Sequence, residues 1–166
     1  MTILAAIPVL GILIILQSTI ASRIPLLHGT ADLVLLALVA WAVQERVRTT
    51  WQWGLVGGLM VSLVSALSWL VAVPAYLVSA GLARLLRRQL WQMPVLAMFA
   101  SVFLGTLIIH GVTFLYLRTN GTLIPVWEAF NLITIPSALL NLLLALPMYA
   151  LFTDLANRLY PEDIEI

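Results

Sequence analysis

The sequence predicts an all-α integral membrane protein with six transmembrane helices in a single domain, and three observations lead to this class. Hydrophobic residues make up 63% of the 166 residues, and the mean hydropathy is +1.09. Only 9% of the residues are charged, against about a quarter in soluble domains. Apolar runs of about 20 residues, the length that crosses a bilayer, recur along the chain. Lipid must therefore surround most of the protein, because so few polar residues cannot cover a soluble globule.

The predicted spans follow from the uncharged runs. The first, at about 2–22, has no basic start and is longer than the apolar part of a typical signal peptide. We interpret it as a retained helix, with a cleaved signal peptide as the alternative. The second span, at about 26–44, has Asp32 as its only charge. The fifth and sixth, at about 93–117 and 129–152, are each long enough to cross a membrane.

The uncharged run between the second and fifth spans, Thr49 to Ala83, has room for one tilted helix or two short ones. Two helices, at about 53–66 and 73–86, would be joined by a turn near Ser68. Arginine placement favours this second arrangement, because cytoplasmic loops of membrane proteins are enriched in arginine and lysine.

Arginine placement also orients the chain. All eight basic residues are arginine. With six spans, both termini and six of the arginines lie on one side, and only Arg23 and Arg118 lie on the other. The six are Arg46, Arg48, Arg84, Arg87, Arg88 and Arg158. This bias predicts that both termini are cytoplasmic.

Charged residues that could relay protons or sodium are not expected at mid-depth of the membrane. Asp32 and Glu128 lie near the outer ends of the second and sixth predicted spans, and Glu45 lies at the inner end of the second. We interpret all three as interfacial anchors, since charges deep in the bilayer are costly and usually functional.

Nucleophilic and metal chemistry are also not expected. The chain has no cysteine, and its two histidines, His28 and His110, are too few for a metal site of their own. His110 is interpreted as a hydrogen-bonded packing residue. The serines near it in the predicted bundle are not in a G-x-S-x-G motif, which disfavours an intramembrane hydrolase. The sequence thus predicts a non-enzymatic protein without a cofactor.

Small residues point to close helix packing in the third span. Gly54, Gly58, Ser62 and Ser65 recur every three or four residues and so share one helix face. Faces of this kind let helices approach closely in lipid. Whether the neighbouring helix belongs to this chain or to a partner is left open.

Polar and helix-breaking residues inside apolar segments are further candidates for packing or partner contact. Gln17 lies near the end of the first span. Asn141 lies between Pro136 and Pro147 in the stretch IPSALLNLLLALPMYALF. An unpaired amide in hydrocarbon is costly, so each amide should face the bundle interior or a partner helix.

Four segments, taken in order, resemble the rod shape-determining protein MreD family of bacteria. They are LQSTIASRIPLLHGTADLVLLALVAWA, GLVGGLMVSL, AYLVSAGLARLLRRQ and IPSALLNLLLALPMYALFTDLANRL. The resemblance covers nearly the whole chain. One departure is Ser62, which stands where the family often has an acidic residue in its third span.

The resemblance implies a membrane scaffold of the bacterial elongation (Rod) complex, located in the inner membrane and controlling cell shape and peptidoglycan synthesis. It implies pairing with MreC and association with a RodA-type glycosyltransferase, a class B penicillin-binding transpeptidase and MreB. The family's fold is similar to the substrate-binding subunits of energy-coupling-factor transporters. A vitamin-binding transporter subunit is therefore the alternative, although the first span lacks the Ala-x-x-x-Ala pair expected of such a subunit.

Overall fold

The computed structural model describes residues 2–21, 29–65, 67–122 and 125–160, and no β-strand occurs within these ranges. The described chain forms six helical rods. The sixth rod consists of the last three helical segments, which follow one another without a break. The segments are α1 Thr2–Ala21, α2 Leu33–Ala42, α3 Thr50–Val64, α4 Trp69–Gln89, α5 Pro94–Thr119, α6 Val126–Ala129, a π-helical turn Phe130–Thr134, and α7 Ile135–Leu159.

Three of the described rods have the length and composition of membrane spans: α4, α5, and the continuous rod Val126–Leu159. The predicted all-α membrane class therefore agrees with the structure. The apolar parts of α1 and α2 are shorter, at Leu4–Thr19 and Leu33–Ala42. The total of six spans stays a prediction.

Four helical rods, α2, α3, α4 and Val126–Leu159, begin at residues different from the predicted span boundaries, and for α2 and α4 a capping side chain explains the difference. The second predicted span starts at residue 26, whereas α2 starts at Leu33, and residues 26–28 lie outside the described part. The side chain of Asp32 starts α2 by accepting a hydrogen bond from the Leu35 amide. α4 starts at Trp69 rather than 73, after Ser68, whose hydroxyl accepts from the Leu70 amide.

Helix α2 lies at the centre of the bundle. All ten of its residues are buried, and it packs against α1, α3, α4, α5 and α7. Its sequence, LVLLALVAWA, is apolar on every side, which fits a helix enclosed by protein as well as one in lipid, and the packing shows that it is enclosed by protein. Ten residues extend about 15 Å, roughly half the thickness of the hydrocarbon core. The helix therefore serves as the core around which the longer helices pack.

The glycines of α3 allow it to approach α4 closely. A Cβ added to Gly58 would lie 2.7 Å from the Cα of Val73, and one added to Gly54 would lie 3.1 Å from a methyl carbon of Leu77. The neighbour of these two glycines thus belongs to the same chain. Farther along, the Ser62 hydroxyl donates to the Leu59 carbonyl.

Candidate functional site

The start of α2 is held by a network of polar side chains from three other helices, with Asp32 at its centre. One carboxylate oxygen of Asp32 accepts from the Leu35 amide at 2.9 Å, and the other accepts from the Tyr76 hydroxyl at 2.6 Å. An acidic N-cap also interacts favourably with the positive end of the helix dipole. Asp32 therefore fixes both the first turn of α2 and its position beside α4.

Asn141 joins this network from α7 and is fully buried. Its carbonyl oxygen accepts from the Asp32 amide at 2.8 Å, and its amide nitrogen donates to the Thr106 hydroxyl at 2.9 Å. Thr106 in turn donates to the Val102 carbonyl of its own helix, α5. Asn141 thus connects α2, α5 and α7 within one chain.

Gln17 supplies a second amide at the same end of α2. Its side-chain oxygen accepts from the Leu33 amide at 2.9 Å. The first amides of a helix have no acceptor within the helix and need one from elsewhere. Gln17, Asp32 and Asn141 together accept from three backbone amides, those of residues 32, 33 and 35.

The segment before α2 rests against the start of α7. The Thr30 amide donates to the Ser137 hydroxyl at 3.0 Å. Gly29 approaches Pro136 so closely that an added Cβ would lie 2.5 Å from the proline Cβ. Pro136 follows the π-helical turn, where the Thr134 hydroxyl donates to the Ala129 carbonyl. A proline at this point prevents a regular α-helical bond to the carbonyl four residues earlier.

The end of α2 is held by two arginines of α4. Arg87 donates from Nε to the Val43 carbonyl at 3.1 Å, and Arg84 donates from Nη1 to the Gln44 carbonyl at 2.8 Å. Arg87 also forms an ion pair with Glu45 and donates to the Leu90 carbonyl. Cations at the carboxyl end of a helix are favoured by its dipole. An acidic N-cap residue therefore lies at the start of α2, and two arginines of α4 lie beside its end.

Aromatic packing completes this second end. The rings of Trp41 and Trp53 stack with centroids 4.3 Å apart, and Phe152 meets both of them edge to face. Trp41 also donates from its indole nitrogen to the Thr49 hydroxyl, which is paired with the Tyr160 hydroxyl. These contacts connect α2, α3 and α7 at the end where the arginines lie.

A separate, mostly apolar cleft of about 170 Å³ lies between α5 and the π-helical turn. His110 and Thr134 line it, and the His110 Nδ1 lies 3.3 Å from the Thr134 hydroxyl oxygen. This is a hydrogen bond between packed helices. Pro147, by contrast, lies at an exposed position of α7.

The predicted site residues therefore fall into separate groups. Gln17, Asn141 and Pro136 meet around the start of α2, whereas Gly54 and Gly58 lie in the α3–α4 contact. Ser62 bonds to its own helix, and the Ser65 hydroxyl accepts from the Leu67 amide just beyond the end of α3.

Sequence reasoning missed several members of the α2 network. Asp32 was interpreted as an interfacial anchor, although an acid directly before an apolar run is a recognised N-cap signal. Glu45, also interpreted as an anchor, pairs with Arg87. Tyr76 and Thr106 carry no sequence signal, because only the folded bundle brings them near Asp32 and Asn141. Glu128 is exposed in α6.

Comparison with known proteins adds no relative to this picture. No family model, no curated protein and no solved structure matches the chain.

Proposed function

We propose that this chain is a non-enzymatic membrane scaffold of the bacterial elongation (Rod) complex. In this role it pairs with MreC in the inner membrane and positions the RodA-type glycosyltransferase, the class B transpeptidase and MreB for cell-shape control. Both termini would be cytoplasmic, with six spans and the arginine-rich end of the bundle facing the cytoplasm.

The observation that carries the proposal is where the family-like segments meet. Residues from three of the four segments that resemble the MreD family form one network around the start of α2: Gln17, Asp32, Tyr76 and Asn141. The arginines of the AYLVSAGLARLLRRQ segment hold the other end of the same helix. Residues in the family-like segments therefore act together to hold α2 in the bundle. This supports treating the separate segments as one family pattern.

The polar side chains around the start of α2 bond to groups within the bundle, which supports a scaffold rather than a subunit that binds a small molecule. The hydrogen bonds of Gln17, Asp32 and Asn141 end on backbone amides of α2 or on side chains of neighbouring helices. A vitamin-binding subunit would need such groups to face a ligand cavity. Here the centre of the bundle is occupied by the apolar side chains of α2.

The outer surface offers long apolar faces for lipid or partner helices. On α7 the exposed leucines include Leu139, Leu143, Leu146 and Leu151. In lipid, helix association depends on shape and packing rather than on hydrophobicity. A scaffold that gathers single-span and multi-span partners needs such surfaces.

The test is co-purification with MreC. The tagged chain is co-expressed with MreC and, as a matched control, with an unrelated single-span protein of similar length, then extracted in a mild detergent. We expect MreC, and not the control, to elute in a fixed ratio with the chain.

Two results would overturn the proposal. One is equal recovery of MreC and the control protein. The other is a vitamin bound in stoichiometric amount to the purified chain, detected by mass spectrometry, which would favour the transporter subunit.

A further inference from the structure

A half-open cavity of about 360 Å³ lies toward the arginine-rich end of the bundle, between the start of α3 and the stretch of α4 from Leu77 to Arg84. Two arginines, Arg48 and Arg84, line it together with Thr50 and Trp51 of the first turn of α3. Leu77 and Gly81 of α4 form its apolar wall. The cavity thus combines cationic and apolar surfaces in one place.

The charge in and around this cavity is strongly positive. Arg84 is held in place by its bond to the Gln44 carbonyl, and Arg48, Arg87 and Arg88 are all near enough to repel it. Arg87 is paired with Glu45. Arg48 is exposed, and among the described residues it has no hydrogen bond or ion pair. An anion would relieve the repulsion between these guanidinium groups.

The start of α3 adds hydrogen-bond donors to the same cavity. The backbone amides of the first helical turn, including those of Thr50 and Trp51, have no acceptor within the helix. The preceding residue, Thr49, forms no side-chain cap. The Thr50 hydroxyl oxygen is buried and has no partner among the described residues. Helix starts of this kind bind phosphate through their amides and dipole.

We propose that this cavity binds the phosphodiester headgroup of an anionic phospholipid, with Arg48, Arg84 and the start of α3 contacting the phosphate. Two features favour lipid over a free anion. The apolar wall continues beside the charged groups, through Leu77, so a glycerol backbone and the first acyl carbons would be covered. Trp51 is 62% exposed at the rim, and tryptophan prefers the headgroup level of a bilayer.

This inference does not depend on the scaffold role. A basic pocket between helices at the arginine-rich end of a membrane protein is suited to anionic lipids whatever partners the protein has. The test accordingly uses the purified chain alone, and recovery of MreC plays no part in it.

The experiment measures lipid binding by native mass spectrometry and by the melting temperature in detergent. Short-chain phosphatidylglycerol, short-chain phosphatidylcholine and inorganic phosphate are titrated separately. We expect phosphatidylglycerol to bind and to raise the melting temperature, and the other two to bind at least about tenfold more weakly. The choline cation of phosphatidylcholine would be repelled by the arginines, and inorganic phosphate has no apolar part to cover the wall of the cavity.

Two variants test the location of the site. Arg48→Gln removes one cation from the cavity at an exposed position, and Gly81→Leu fills the cavity where an added Cβ meets nothing within 4 Å. Both should weaken phosphatidylglycerol binding about tenfold or more. The matched controls are Arg158→Gln, an exposed arginine outside the cavity, and Gly111→Leu, whose added Cβ also meets nothing within 4 Å.

Three results would overturn the inference. Equal binding of the two lipids would show that the cavity does not select a headgroup with a net negative charge. Equal binding of inorganic phosphate would show that the glycerol and acyl parts of the lipid do not contribute. Unchanged phosphatidylglycerol binding in Arg48→Gln would place the site elsewhere, even if Gly81→Leu fails to fold.

Discussion

Asn141 shows how a polar residue functions inside an apolar helix bundle. Its carbonyl oxygen accepts from the Asp32 backbone and its amide nitrogen donates to the Thr106 hydroxyl, so both polar atoms of the side chain have a partner. Hydrogen bonds between helices in lipid contribute only about 0.6 kcal/mol on average. Leaving buried groups unpaired costs about 1–3 kcal/mol each. Asn141 therefore contributes to stability chiefly because removing its side chain leaves the hydrogen-bond partners without it.

Replacing Asn141 by leucine should lower the free energy of unfolding by about 1–3 kcal/mol, because the Asp32 amide and the Thr106 hydroxyl lose their bonds. Unfolding in a denaturing detergent would measure this change. Asn157→Leu, on an exposed position of the same helix, is the control and should alter stability little. Unchanged stability of Asn141→Leu would contradict this account.

At the scale of helices, α2 depends on its neighbours. An isolated helix of ten residues is marginal even with favourable residues. α2 is held by Gln17, Asp32 and Asn141 at its start, by Arg84 and Arg87 at its end, and by apolar contacts along its length. The fold of the bundle and the presence of this helix are thus interdependent.

Arg87→Met should destabilise the bundle by about 1–3 kcal/mol, because the buried Val43 carbonyl loses its donor and the exposed Glu45 loses its ion pair. The neighbouring Arg88 is exposed, so Arg88→Met is a matched control with the same loss of charge. Melting temperatures of both variants in one detergent provide the comparison. A similar decrease for both would show that net charge, not the end of α2, is responsible.

The contact between α3 and α4 can be tested with a single methyl group. Gly58→Ala places a Cβ 2.7 Å from the Val73 backbone and should destabilise by about 1–3 kcal/mol. Gly81→Ala adds the same group to open space in α4 and should stabilise by about 0.5–1 kcal/mol, since alanine is the better helix former. Opposite signs in a chemical unfolding experiment are the expected result, and a stabilising Gly58→Ala would contradict the packing.

At the scale of the whole molecule, the ends of the bundle differ in charge. Arg46, Arg84, Arg87 and Arg158 gather where α2 and α7 end. The opposite end carries Asp32, residues 29–31 and the turn after α5, and Arg118 is the arginine described there. This asymmetry is the physical basis for the predicted orientation, because basic loops are retained in the cytoplasm.

The chain has no cysteine, so a single introduced cysteine can report orientation without a background. Asn120→Cys, just beyond α5, should react with a membrane-impermeant maleimide in intact spheroplasts. Asn157→Cys, near the end of α7, should react only after the membrane is permeabilised. The reverse pattern would invert the topology, and labelling of both in intact cells would contradict six spans.

The sequence by itself determined the class of the protein and the main helices. Low charge and long apolar runs leave lipid as the only suitable surroundings, and this holds whatever the tertiary arrangement. The uncharged run from Thr49 to Ala83 was also divided correctly into two helices, because two helices place the arginines on both sides of the run at the same end of the bundle. The exact starts of α2 and α4 were less well predicted, because they depend on the capping side chains of Asp32 and Ser68.

Only the tertiary structure decided what the polar residues bind. Asn141 is separated from Asp32 by 109 positions and from Thr106 by 35, and hydrophobic periodicity contains no information about such pairs. Nor could composition show that α2 is enclosed on all sides, because an apolar helix faces lipid and protein equally well. The sequence requires that a buried amide has a partner, and the packing of long helices around a short one selects which partner it is.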